Sequence, residues 1–202
     1  IFGWLTAPTF IWVGALVVGL VLGLVNAFKR QVSPVLVVLY AVTEGVFLGG
    51  ISAFYQAFGE ANGMGNLVLT AVVATFVVVG VMLALYMSGV IKVTERFQRI
   101  LMTAIIGYLV FAVVNLFAAW IFGLGGGLGV FGMGWIGILL SLFVVGLAAF
   151  TLTMDFEMIK QYVGMGVPER ESWRMAFGLL VTIIWLYLEI LRLLAIISAG
   201  RD

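Results

Sequence analysis

Three stretches of this chain contain no charged residue: Ile1 to Phe28, Ala61 to Ile91 and Ile100 to Met154. A bilayer hydrocarbon core about 30 Å thick is crossed by about 20 apolar residues of helix, so runs of this length fit a membrane and little else. Across all 202 residues, 64% are hydrophobic and 9% charged, with a mean hydropathy of +1.27. A soluble domain is closer to half apolar and a quarter charged, and has too little interior to hide this much hydrocarbon. The runs are continuous rather than alternating, which excludes a transmembrane barrel strand and predicts helix.

The pattern predicts an all-α, polytopic transmembrane helix bundle forming one domain over 1–202. Its six spans are expected at about 4–28, 34–57, 66–91, 100–122, 134–162 and 172–198. Between the fourth and fifth, Gly123 to Gly134 includes Gly125, Gly126 and Gly127 in succession, a composition that ends a helix. Neither a preceding strand nor a following Lys-Ser/Thr makes this a phosphate loop. The three prolines, Pro8, Pro34 and Pro168, fall near span edges and predict no broken helix of the transporter kind. Glycines four apart, Gly19 with Gly23 and Gly45 with Gly49, predict close helix packing. The tryptophans, Trp4, Trp12, Trp120, Trp135, Trp173 and Trp185, read mostly as interfacial anchors.

Charge in the connections gives an orientation. Lys29 and Arg30 follow the first span, Lys92, Arg96 and Arg99 the third, and Lys160, Arg170 and Arg174 flank the fifth connection. The intervening connections, around Glu60 and the glycine turn, hold no Lys or Arg. The positive-inside rule then places the charged set in the cytoplasm and both chain ends, including Asp202, outside. The chain opens Ile-Phe-Gly without Met or a cleavable signal, so an N-terminal portion is expected to be missing.

With no Cys and no His, thiolate chemistry, disulfides, histidine triads and the usual zinc sites are excluded. A net charge of +1 offers no field for nucleic acid. Chemistry is left to carboxylates inside the spans: Glu44, Asp155, Glu157 and Glu189. An ionised carboxylate at mid-bilayer costs at least about 2.5 kcal/mol, so each must be protonated, paired or in contact with water. Glu44 lies about 15 Å into its span from the cytoplasmic end and Asp155 about 12 Å, so the two can be level. Glu189 lies about 25 Å into the last span with Arg192 three residues on, the spacing of an interfacial ion pair. Glu157, three residues before Lys160, reads as a second local pair. Asp155 and Glu44 have no sequence-local base and are the candidates for an ion or proton path. The plainer alternative for either is a protonated carboxyl bonded to a backbone carbonyl or to a hydroxyl such as Thr43 or Thr182.

Around these acids the sequence resembles a known family. Asp155-Phe156-Glu157-Met158-Ile159 is similar to the Asp-x-Gln/Asn-x-Ile signature of the Bax inhibitor-1 family. The stretch from Met175-Ala176-Phe177-Gly178-Leu179 to Glu189-Ile190-Leu191-Arg192-Leu193-Leu194 resembles that family's last helix. The ending Trp185 to Arg192, and Tyr40 to Gly50 with Thr43-Glu44-Gly45, resemble a bacterial branch. The resemblance implies a seven-helix bundle of which these spans are helices two to seven, in the bacterial plasma membrane. It also implies a non-enzymatic, pH-sensitive calcium leak in which two aspartates on the last two helices share a proton. Asp155 matches the first of them, whereas Thr182 stands where the second belongs. Glu44 is therefore the expected second carboxyl, with Thr182, Glu157, Glu189 and Arg192 in support. Calcium would be a transient ligand of Asp155 and Glu44 and a permeant ion, with no tightly bound cofactor. The expected partners are the bilayer, calcium and a membrane protein.

Three other readings compete with the leak pathway. They are a non-transporting regulator that binds a membrane protease or other membrane partner, a proton-coupled exporter, and an intramembrane aspartyl hydrolase.

Overall fold

Backbone groups in hydrocarbon must be satisfied within the chain, and the long apolar segments do this as helices. The structure, a computed structural model, describes residues 9–29, 32–123, 129–166, 168 and 171–200. Among these, six helices are long and apolar enough to cross a membrane. They are α1 (Thr9–Phe28), α2 (Pro34–Ala61), α3 (Leu67–Met87), α4 (Glu95–Phe122), α5 (Trp135–Gly164) and α6 (Ser172–Ala199). They overlap the six spans expected from the sequence, of which positions 4–8 lie outside the described residues. Trp4, Pro8, Arg30, Gly125 to Gly127, Arg170 and Asp202 lie outside the described residues.

Local chemistry sets the boundaries. Pro34 opens α2 at a position where its missing N–H is no loss. The Thr94 hydroxyl accepts from the Phe97 amide at 3.2 Å and caps α4. The glycine turn is bracketed by Gly123 (φ +62°) and Gly134 (φ +55°), left-handed values that a side chain would resist. Within it, a 3-10 turn at Gly129–Gly132 packs against α4 and α5. The Asn115 carbonyl fastens that turn to α4 by accepting from the Val130 amide at 2.7 Å.

Helix α6 is the hub, touching α2, α3 and α5, while α1 lies along α2. The innermost side chains, Val144 and Leu152 of α5, Leu186 and Leu191 of α6, and Leu67 of α3, are fully buried. Only 6% of the α4 window is buried against 44% for α5, so α4 turns most of its surface outward. Lipid tails are as apolar as leucine, so packing and interhelical hydrogen bonds hold such a bundle together. Tyrosines supply three of these bonds. Tyr187 of α6 meets Ser52 of α2 at 2.6 Å, Tyr86 of α3 donates to Glu157 of α5 at 2.8 Å, and Tyr108 of α4 donates to Glu189 of α6 at 2.7 Å.

The glycine pairs divide in their roles. Gly19 and Gly23 of α1 do face α2, but the space they leave holds side chains: the Glu44 carboxyl at Gly19 and the Tyr40 ring at Gly23. Gly45 has nothing near it, and the tight contact is instead at Gly50, where Trp12 packs. The expectation of close backbone approach at Gly45 is therefore corrected. Two of the tryptophans also pack against neighbouring helices. Trp12 is wedged between helices, and Trp185 stacks on Tyr108 with ring centroids 5.7 Å apart. Trp120 and Trp135 are strongly exposed, as anchors would be.

Candidate functional site

Asp155 sits on the face of α5 that packs against α6, opposite Gly178 and Thr182. A Cβ placed on Gly178 would stand 3.7 Å from Asp155 Oδ1, so the carboxyl leans against bare helix backbone. The Thr182 hydroxyl is within hydrogen-bonding reach of the carboxyl. The same hydroxyl also donates back to the Gly178 carbonyl at 3.2 Å. Asp155 Oδ2 is buried and accepts no hydrogen bond from any described residue.

These contacts define two proton arrangements. A threonine hydroxyl has one proton and two lone pairs. If Thr182 gives its proton to Gly178, its oxygen can accept from a protonated Asp155. If Asp155 is ionised, Thr182 must turn its proton to the carboxylate and release the Gly178 carbonyl. The proton on Asp155 is thereby linked to the hydrogen bonding of α6 one turn away.

Glu44 is housed elsewhere. It is 8% exposed and lies between α2 and α1. A Cβ on Gly19 would come within 2.7 Å of its Oε1, and Tyr40, one turn earlier on α2, bonds its carboxyl. The Tyr40 ring meets Phe177 edge-on at 5.1 Å, and Phe177 immediately precedes Gly178. Glu44 and Asp155 thus lie within about a turn of the same depth. No hydrogen bond joins them among the described residues, and each has its own neighbours. Nor does any group of three acidic side chains that could hold a metal ion occur among the described residues.

Glu189 and Arg192 form the expected pair. Arg192 Nη1 donates to both Glu189 oxygens, at 3.1 and 2.9 Å. Glu189 is only 2% exposed while Arg192 is partly exposed, and Oε1 also accepts from Tyr108 and from Trp185 Nε1 at 3.3 Å. Removing one partner from such a pair strands the other charge. Glu157 departs from expectation. No ion pair joins it to Lys160 among the described residues. Tyr86 and Gln161 hold its two oxygens, and the Lys160 ammonium stands 5.9 Å from the centre of the Tyr86 ring. The phenol donor reaches Glu157 from 71 residues away, a partner no local spacing reveals.

Several contributors went unread in the sequence. Tyr40 and Trp185 each precede an acid by four residues, so the helical period could have found them. Tyr108, on a helix far away in sequence, gave no such signal.

The family model described as Bax inhibitor 1 like matches residues 1–199, nearly the whole chain. The chain belongs to the Bax inhibitor 1 like family. No curated protein matches it. Membership agrees with the six apolar helices of a multi-pass membrane protein. In this Bax inhibitor 1 like protein, Asp155 of α5 faces Gly178 of α6.

Proposed function

We propose that this Bax inhibitor 1 like protein is a pH-sensitive, non-enzymatic leak pathway for cations, calcium among them, with Asp155 as its proton-responsive group. The observation that carries the reading is the Asp155 carboxyl itself, enclosed between α5 and α6 with Oδ2 unsatisfied and a single-proton hydroxyl beside it. A buried acceptor without a donor is a group whose state changes readily when a proton or cation arrives. Carboxylate oxygen suits a hard cation such as calcium. Glu44 is the second acid of the path, at similar depth but behind Tyr40, and acts through that ring rather than by sharing a proton with Asp155. Thr182 sets the Asp155 hydrogen bonding, while Glu189, Arg192 and Glu157 fix the surrounding helices. The protein is assigned to a bacterial plasma membrane with its basic connections in the cytoplasm and its C-terminus outside.

The test is calcium flux into liposomes across a pH series, for wild type, Asp155→Asn, Glu44→Gln and the double variant. Asp155→Asn is expected to flatten the pH dependence. Flux identical to wild type at every pH would remove Asp155 from the mechanism. A double variant differing from the sum of the singles measures the coupling between the two acids. A second reading, a non-transporting regulator that binds a membrane protease or another membrane protein, draws on the largely unpacked surface of α4. Co-purification of such a partner with no flux at any pH would favour it.

A further inference from the structure

At the C-terminal end of α6, remote from Asp155, a cavity of about 440 Å³ opens between α2, α6 and the 3-10 turn. Its volume falls within the range of small-molecule sites, about 300 to 1,000 Å³. The wall is hydrocarbon and aromatic, with Phe54, Tyr55, Phe58, Phe131 and Ala199 around it. One cation, Arg192, lines it as well.

The guanidinium is held in a fixed plane. Its Cζ lies 4.5 Å from the centre of the Phe131 ring, and only Nη1 is engaged by Glu189. The guanidinium also bonds Tyr108, but Nε and Nη2 make no bond to the Glu189 carboxylate, and Arg forks are suited to a second acceptor. Glu189 does not depend on Arg192 alone, because Tyr108 and Trp185 also donate to it. Tyr55 stands close enough to the guanidinium to interact with it electrostatically and adds a second polar group. A cation and a phenol on a wall otherwise made of aromatic and aliphatic surface is the chemistry of an acid with a hydrocarbon tail.

We propose that this cavity binds an anionic amphiphile, its acidic oxygens on Arg192 and its chain among Phe54, Phe58 and Phe131. The head is a carboxylate or a phosphate, supplied by a free fatty acid or an anionic phospholipid. The site does not depend on ion flux or on Asp155, so it stands apart from the leak pathway.

The full chain, purified in a non-ionic detergent, is titrated with laurate, with methyl laurate and with phosphatidylglycerol, and its thermal unfolding midpoint is followed. A ligand that binds only the folded state raises the midpoint as its concentration passes the dissociation constant. Laurate, phosphatidylglycerol or both are expected to raise it, and methyl laurate is not. A response to laurate alone identifies a free acid as the occupant, and one to the phospholipid alone identifies a lipid. Arg192→Gln, and Ala199→Phe, which fills the cavity without touching the ion pair, should each need at least about tenfold more probe for the same shift. If Arg192→Gln does not fold, Ala199→Phe decides. The proposal is overturned by no response to either acid, by an equal response to methyl laurate, or by an unaltered response in Ala199→Phe.

Discussion

Thr182 has one hydroxyl proton and two claimants for it, the Asp155 carboxyl and the Gly178 carbonyl. Valine keeps its shape and removes the choice. In Thr182→Val an ionised Asp155 loses a donor at a buried position, a change worth about 1–3 kcal/mol against the charged form. The pH profile of flux should therefore change. A flux profile superimposable on wild type would show that Thr182 is a spectator. The sequence singles out Thr182 only through the resemblance, which implies an aspartate at that position. Its double bonding was not legible there, since only the packing of α5 on α6 puts both acceptors within reach. The same contrast holds for the other acids. The Glu189–Arg192 pair was legible because it is three residues long, whereas the Tyr86–Glu157 tie spans α3 and α5.

Glycine has opposite consequences at two places on α2. At Gly50 an added Cβ would come within 2.5 Å of Trp12 Cβ and 2.6 Å of its Cγ, atoms close to the root of a rigid side chain. At Gly45 it would meet nothing. Alanine is favoured over glycine inside a helix by about 1 kcal/mol. Gly45→Ala should therefore stabilise by up to about that amount. Gly50→Ala should destabilise by about 1–3 kcal/mol, the usual range for overpacking, as α1 is pushed off α2. Thermal unfolding in detergent checks both, and two shifts of the same sign would contradict the packing described. The helices themselves were readable from charge-free runs, since hydrocarbon thickness dictates their length. Which glycine faces a neighbour was not, because spacing alone does not rotate a helix about its axis.

For the molecule as a whole, the proposed topology, which follows the distribution of Lys and Arg, has the connection after α3 in the cytoplasm and the one after α2 on the other side. The chain has no cysteine, so single introduced thiols report without ambiguity. In sealed vesicles of known orientation, Lys92→Cys and Ala61→Cys should react with an impermeant maleimide from opposite faces. Labelling of both from one face would reverse or break the proposed topology. Among the helices that meet in this fold, α6 is shared by the acid at one end and the arginine-lined cavity at the other. Gly178, bare of side chain and facing Asp155, lies in the interior of that rod. Glycine is the residue at which a helix yields most easily. A bend of α6 at Gly178 would therefore pivot beside the Asp155 carboxyl, and the cavity end of the rod would swing the farthest.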